Sequence, residues 1–109
     1  MTPDGLTESQ RDVDSAVTEW PEVRAKQAFG HRGYVRNGKM FGFLADEGVA
    51  VKVWAGEDAD AVYAIDGVHA FAHGGMEMRA WPIMPLRNED EVTAALTALQ
   101  SAYEKAHAT

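Results

Sequence analysis

The chain has 109 residues, of which 46% are hydrophobic and 25% charged, and it contains no cysteine. These values predict one globular domain over residues 1–109, with residues 1–6 as a disordered tail, and they exclude a disulfide framework and a cysteine nucleophile. The formal net charge of −7 argues against a general nucleic-acid binder, because the overall field repels phosphate.

The first predicted element is a helix. Residues 7–10, Thr-Glu-Ser-Gln, have the sequence of a capping box, in which the threonine and glutamine side chains bond the free N–H groups of the first turn. An apolar stripe at helical spacing follows: Val13, Ala16, Val17 and Trp20. Pro21 either ends this helix or begins a second helical turn that runs through Val23 and Ala28.

Two hairpins are predicted next. Asn37-Gly38 favours a type I′ turn, which requires positive φ at both central residues. Asp46-Glu47-Gly48 indicates a three-residue loop with Gly48 in the left-handed position. Counting outward from these turns pairs Tyr34 with Phe41 and Phe43 with Val51.

This register predicts two different faces for the three-stranded meander. The face assigned to the core carries Tyr34, Phe41, Phe43, Val49, Val51 and Val53. The opposite face carries Val35, Met40, Gly42, Leu44, Ala50, Lys52 and Trp54. The second face is too apolar to lie free in water, so we expect another segment, a second subunit or a ligand to cover it.

The remaining elements follow in order. A short helix is predicted over 57–65, and strands over 68–72 and 76–84 flank a Gly74-Gly75 turn, with Pro82 at an edge or a bulge. Asn88 caps a last helix with Glu91 three residues on. The expected fold class is therefore α+β, a mostly antiparallel five-stranded sheet of hairpins with the N-terminal and C-terminal helices packed on one face.

The stretch KQAFGHRGYVRNGKMFG, residues 26–42, resembles the N-terminal domain of TfoX-type competence regulators. That family's pattern is Lys/Arg-x-Met-Phe-Gly-x-x-Gly, two hydrophobic residues, then x-Asp/Asn-Gly-x-Met-Phe-Gly. It aligns here without a gap, although Ala28 stands where the family prefers methionine. Trp81 in a late proline-bearing strand and the final helix resemble the related MmcQ/YjbR family. Over residues 20–106 the resemblance implies a compact α+β domain, sometimes labelled DNA-binding, with no established catalytic residues.

A basic stretch supplies the first functional hypothesis. Residues 23–45 hold five basic residues and no acidic one. Arg36 and Lys39 lie opposite each other at a hairpin tip, where a purely structural tip would favour opposite charges. The hypothesis is a non-catalytic accessory or regulatory domain that contacts the DNA backbone, weakly and with strong salt dependence, through Arg24, Lys26, Arg32, Arg36, Lys39 and Lys52. The alternative reading is an ordinary solvated hairpin edge.

The second functional hypothesis is a protein- or peptide-interaction module, including a homodimer, that uses the apolar face at Val35, Met40, Leu44 and Trp54. The alternative is that the N-terminal helix or its linker covers this face.

No catalytic motif, cofactor fingerprint or metal-ligand pattern is present in the sequence. His69 and His73 are predicted on a strand, where their spacing of roughly 13 Å is too long for one zinc ion. We therefore expect no enzyme activity, no metal and no cofactor. No apolar run is long enough to span a bilayer and the N-terminus lacks the apolar region of a signal peptide, so a cytoplasmic protein without membrane contact is expected.

Overall fold

A computed structural model describes residues 6–28, 30–53 and 57–108 of the chain. It contains three helices and a six-stranded sheet. In chain order the elements are α1 (Glu8–Val17), β1 (Val23–Ala28), β2 (His31–Arg36), β3 (Lys39–Ala45), β4 (Gly48–Val51), α2 (Glu57–Tyr63), β5 (His69–His73), β6 (Met76–Met84) and α3 (Glu89–Ala108).

The predicted helix starts are confirmed. The Thr7 side chain accepts from the Gln10 N–H at 3.1 Å, and the Gln10 side chain accepts from the Thr7 N–H at 3.0 Å. The side chain of Asn88 accepts from the Glu91 N–H at 2.9 Å at the start of α3. Leu6 packs against the core, while the rest of the predicted N-terminal tail lies outside the described residues.

Of the two alternatives at Pro21, the helical turn through Val23 and Ala28 is wrong, because this segment is strand β1. It pairs antiparallel with β2 from Val23 opposite Arg36 to Ala28 opposite His31. The residues between, Arg-Ala-Lys-Gln, favour helix by intrinsic propensity. Pairing with a neighbouring strand overrides such weak local preferences. The extra strand is the reason that the sheet has six strands and not five.

The first turn has the predicted geometry, and an irregularity follows it. Asn37 and Gly38 have φ of 55° and 77°, and Val35 lies opposite Met40. Tyr34, however, lies opposite Gly42, so Phe41 is an extra residue on β3. Such a bulge shifts the alternation of the strand by one residue.

The second turn differs from the prediction. It is a two-residue turn at Asp46 and Glu47, with φ of 50° and 64°, and Gly48 belongs to β4. Phe43 therefore lies opposite Ala50, and not opposite Val51 as predicted. A glycine is needed at position 48 for another reason, since a Cβ there would lie 2.3 Å from the carbonyl oxygen of Met84 on β6.

The bulge and the shorter turn together reassign the two faces of the meander. Phe41 turns toward the helices, and after it the even-numbered residues of β3 face the helices while the odd-numbered ones face away. Leu44 consequently packs in the helix-side core and Phe43 in a second core on the opposite side, which reverses both predictions. A one-residue change of register has this effect on every side chain of a strand.

The sheet is antiparallel throughout, in the order β1-β2-β3-β4-β6-β5. The N-terminal helix α1 and the C-terminal helix α3 pack together on one face, as predicted. Their buried partners include Val13 and Val17 of α1, Leu99 of α3 and Tyr34 of the sheet. We call this the helix-side face and the opposite one the outer face.

The β5–β6 hairpin crosses from the sheet onto the outer face. Its turn is Gly74-Gly75, as predicted, with φ of 61° and 79°. The register between β5 and β6 jumps from Ala70 opposite Pro82 to Phe71 opposite Met78, so Pro82 lies beside a bulge, the second of its two predicted settings. Beyond the bulge, Phe71 packs on Phe43 of β3.

Candidate binding surface on the outer face

A second, smaller apolar cluster lies on the outer face of the sheet. Its buried members are Phe43, Ala45, Ala50, Phe71 and Ile83, with Met40, Met78 and Trp81 partly exposed around them. A cover was predicted for this face. Part of that cover is the chain's own β5–β6 hairpin, and not α1.

Aromatic rings hold the hairpin against the outer face. The Phe43 ring lies 4.8 Å from the Phe71 ring and 5.0 Å from the Trp81 ring, measured between centroids. His31, near the start of β2, lies 5.7 Å from Phe71 and 6.0 Å from Phe43. Aromatic pairs at these separations stabilise packing beyond the area they bury, so the hairpin is anchored across several strands.

The β5–β6 hairpin leaves part of the outer face uncovered, next to β1 and next to the hairpin's own Gly74-Gly75 turn. Val35 and Met40, which lie opposite each other on β2 and β3, are each partly exposed. Met76, next to the hairpin turn, is 72% exposed. Gly33 leaves room for the Met40 side chain, because a Cβ at position 33 would lie 2.9 Å from that side chain. The result is an apolar area that remains accessible between β1 and the hairpin.

The six cations of the predicted DNA-binding set lie on both faces. Directly opposed residues of an antiparallel pair share a face. Arg24 and Lys26 lie opposite Val35 and Gly33, hence on the outer face. Lys52 is there too, with its ammonium 5.4 Å from the Trp81 ring. Arg32 and Arg36 belong to the helix-side face, as does Lys39 opposite Arg36.

Arg36 is occupied by contacts within the protein. Its guanidinium stacks on the Tyr103 ring at 3.7 Å, donates to the Tyr103 carbonyl at 3.1 Å and pairs with Glu22 at 3.1 Å. Only 11% of its side chain is exposed. A planar guanidinium suits such combined stacking and hydrogen bonding, and here it fastens β2 to α3.

Arg32 and Tyr34 share one carboxylate of α1. Arg32 pairs with Asp14 at 2.6 Å, and the Tyr34 hydroxyl donates to the same oxygen at 2.8 Å. The hydrogen bond to Asp14 raises the pKa of Arg32. Burial raises the pKa of the Tyr34 hydroxyl well above its usual range, and the hydrogen bond to Asp14 adds to that effect. This cluster joins α1 to the sheet.

Two residues of the predicted apolar interaction face lie on the outer face of the sheet, and one does not. Val35 and Met40 are on the outer face, whereas Leu44 is buried among the helix-side residues. Trp54, the fourth member, lies outside the described residues. Trp81 and Met78, which the sequence analysis did not assign to a surface, take part instead. Alternation with Met76 after the Gly74-Gly75 turn was an available signal for Met78, whereas Trp81 lies out of that alternation, within the bulge of β6.

Basic and acidic residues are distributed unevenly between strands β1 to β4 and the helices. Strands β1 to β4 contain no acidic residue, so the cations on their outer face have no carboxylate beside them within those strands. The acidic residues concentrate in and next to the helices, among them Asp12, Glu19, Glu89 and Asp90. The chain's net charge of −7 is thus compatible with an outer face on which the charged residues of β1 to β4 are cationic.

Two further findings concern the described residues. None of the three helices is both long enough and apolar enough to cross a bilayer. No three histidine or carboxylate side chains within 6–28, 30–53 and 57–108 lie close enough together to hold a metal ion.

Comparison with known proteins adds no relative: no protein-family model, no curated protein and no solved structure matches this chain. The resemblance to the TfoX and MmcQ/YjbR families therefore stays a prediction from the motif at residues 26–42.

Proposed function

We propose that this chain is a small, non-catalytic, cytoplasmic accessory domain of the TfoX/MmcQ-YjbR type that binds a partner protein or peptide on the outer face of its sheet. The observation that supports this best is the composition of the accessible part of that face. Partly exposed apolar side chains such as Val35, Met40 and Trp81 occur there with Arg24, Lys26 and Lys52.

Both kinds of side chain contribute to this proposal. Accessible apolar area next to a polar border is typical of surfaces that bind other proteins. Methionine adapts to different partners because its side chain is unbranched and flexible. The neighbouring cations favour an acidic partner and disfavour a basic one, so charge supplies selectivity.

Selection of peptides tests the proposal. Random peptides displayed on phage are selected on the immobilised full chain, and those enriched are titrated in solution by fluorescence anisotropy. We expect Met40→Lys to weaken their binding by about tenfold or more, which corresponds to about 1.4 kcal/mol. Thr93→Lys adds the same charge on an exposed position of α3 and should leave binding unchanged. No enrichment, or equal binding by both variants, would reject the proposal.

DNA is a second candidate partner, supported by the three cations of the outer face. Duplex and single-stranded DNA are titrated at low and near-physiological salt. Backbone binding should weaken steeply with salt, and Arg24→Glu should weaken it more than Arg11→Glu, which changes the net charge equally on α1. Undetectable binding at low salt, or equal effects of the two reversals, would exclude DNA as the ligand of this face.

A second copy of the chain is the remaining partner that the sequence suggests. Sedimentation velocity of the wild type and of Met40→Lys addresses it. A concentration-dependent dimer that Met40→Lys dissociates would make the outer face a homodimer interface, whereas a wild-type monomer would remove that possibility.

A further inference from the structure

Strand β1 forms one open edge of the sheet. It pairs with β2 on one side, and β2 is its only neighbour in the strand order. Four consecutive residues, from Arg24 to Gln27, are exposed. Edges of this kind can accept a further strand from another chain.

The register shows which backbone groups are available. Ala28 and His31 flank a two-residue connection, and in such hairpins the flanking residues form a hydrogen-bonded pair. Hydrogen-bonded and non-hydrogen-bonded pairs alternate, so Lys26 and Arg24 also bond β2. Ala25 and Gln27 therefore direct their N–H and C=O groups away from β2.

Within the described part of the chain, one backbone hydrogen bond reaches β1 from outside the strands. The Val23 N–H donates to the Trp20 carbonyl at 3.3 Å. That contact ends the open edge on its N-terminal side. Ala25 and Gln27 then present a short, regular edge for further pairing.

The side chains of β1 select between possible strands. Arg24 and Lys26 both lie on the outer face. If a second copy of β1 added antiparallel about Ala25, Arg24 would lie directly opposite Lys26 of that copy, and like charges in that position are destabilising. An incoming strand with acidic residues at alternate positions would instead meet these cations with opposite charge.

No strand of the described residues has that composition. Glu77 is the single acidic residue within β1 to β6. None of these six strands can therefore supply the acidic segment to a second copy of the chain. The opposite edge of the sheet, β5, is less suitable because the register between β5 and β6 is broken at Phe71.

We propose that β1 is a docking edge for an extended, acidic segment of a partner protein, which adds as a further strand and places alternate carboxylates beside Arg24 and Lys26. The other side chains of that segment would face the helix side. At this edge of the sheet a cavity of about 220 Å³ is lined by Ala25, Lys26, Gln27 and Arg32. This inference specifies the partner of the proposed function and rests on it.

A synthetic peptide of alternating glutamate and valine, carrying a fluorophore, is the probe. Anisotropy should detect binding to the full chain. A peptide of equal composition with its glutamates in one block should bind at least about tenfold more weakly, because it cannot place alternate carboxylates on one side of a strand. Arg24→Glu with Lys26→Glu should weaken the alternating peptide by a similar factor.

The backbone contribution is tested at Ala25. Ala25→Pro removes the outward N–H while leaving both cations in place, and proline is tolerated on edge strands where the N–H faces solvent. We expect at least about a tenfold loss of affinity, whereas Ala25→Val, which keeps the N–H, should retain binding. Circular dichroism and thermal unfolding of both variants establish that they are folded.

The outcomes separate this inference from the proposed function. Equal binding by Ala25→Pro and Ala25→Val would overturn strand addition, as would equal binding of the alternating and blocked peptides. A peptide weakened by Met40→Lys but not by Ala25→Pro would leave the outer face as the site without an added strand. Binding lost in Ala25→Pro but retained in Met40→Lys would support the β1 edge and reject the apolar face. No detectable binding of the alternating peptide would overturn the inference.

Discussion

The two faces of the sheet differ in how their apolar residues are covered and in how their cations are used. Helices α1 and α3 cover the helix-side face, and its arginines Arg32 and Arg36 bond Asp14, Glu22 and the Tyr103 carbonyl. A single hairpin covers the outer face incompletely. There Arg24 and Lys26 stand exposed on an edge strand.

The two faces show that basic residues close together in the sequence can have different structural roles. Arg36 looked like the centre of a binding site because it opposes Lys39 at a hairpin tip. Its guanidinium instead fastens the sheet to α3, and the repulsion expected between the two cations is offset by Glu22 beside Arg36. Arg24 and Lys26, the exposed cations of β1, lie on the other face.

The largest effect should come from the aromatic residues at the centre of each face. Phe41→Ala on the helix side and Phe43→Ala on the outer side should each lower the free energy of unfolding by about 3–5 kcal/mol, since both rings are fully buried. Denaturant unfolding measures this. If an alanine variant fails to fold, leucine at the same position gives a smaller, measurable loss. A negligible loss at Phe43 alone would mean that the hairpin does not form a second core.

The two glycines that face opposite sides should differ in their tolerance of alanine. Gly48→Ala should cost about 2–3 kcal/mol, because the new Cβ would meet the backbone oxygen of Met84 at 2.3 Å and break the approach of β4 to β6. Gly42→Ala would meet the end of the Leu99 side chain at 2.5 Å, which can shift, so about 1–2 kcal/mol is expected. Thermal unfolding of both variants should give this order, and the reverse order would contradict the close contact of β4 with β6.

Arginine-to-methionine substitutions compare the two uses of cations directly. Arg36→Met should lower the free energy of unfolding by about 2 kcal/mol, because it removes the stacking on Tyr103 and leaves the Tyr103 carbonyl without this donor. Arg24→Met should change it by no more than about 0.5 kcal/mol, as is usual for exposed positions. Equal effects in chemical denaturation would show that Arg36 is not a structural residue.

The smallest loss expected from a buried group concerns the Tyr34 hydroxyl. Tyr34→Phe should cost about 1 kcal/mol at neutral pH, since Asp14 keeps its pairing with Arg32. The folded state raises the pKa of Tyr34, so the unfolded chain releases this proton first, near pH 10, and the wild type loses stability as the pH rises further. The variant should lose less stability in this alkaline range. Urea unfolding between neutral pH and pH 11 measures the difference, and parallel curves would argue against a buried, protonated Tyr34.

Most elements of the fold could be predicted from local patterns. The capping box at Thr7, the Asn37-Gly38 turn and the Asn88 cap of α3 each depend on residues close in sequence, and each is confirmed. Strand β1 could not be found in this way, because its residues favour helix and only pairing with β2 makes it extended. The bulge at Phe41 leaves no sign in the alternation, since Phe41, Phe43 and Leu44 are all apolar and suit either face.

The candidate surface was predictable only in part for the same reason. Val35 and Met40 lie close to the Asn37-Gly38 turn, before the bulge, so counting from that turn assigned them correctly. Leu44 lies beyond the bulge and was assigned to the wrong face. The cover over Phe43 depends on where the β5–β6 hairpin bends, which is a tertiary contact between residues far apart in sequence.

The connectivity of the sheet has a consequence for how the chain folds. Strands β1 to β4 are consecutive and joined by short turns, so their pairing closes only small loops and should form early. Of the segments that cover the two faces, α1 precedes these strands, whereas the β5–β6 hairpin and α3 follow them. During synthesis the outer face would remain uncovered until Phe71 and Trp81 have been added, and the helix-side face would be covered only by α1 until α3 is complete. A nascent chain that stops before residue 71 should therefore be prone to aggregation, and a chaperone that holds this four-stranded intermediate would improve the yield of folded protein.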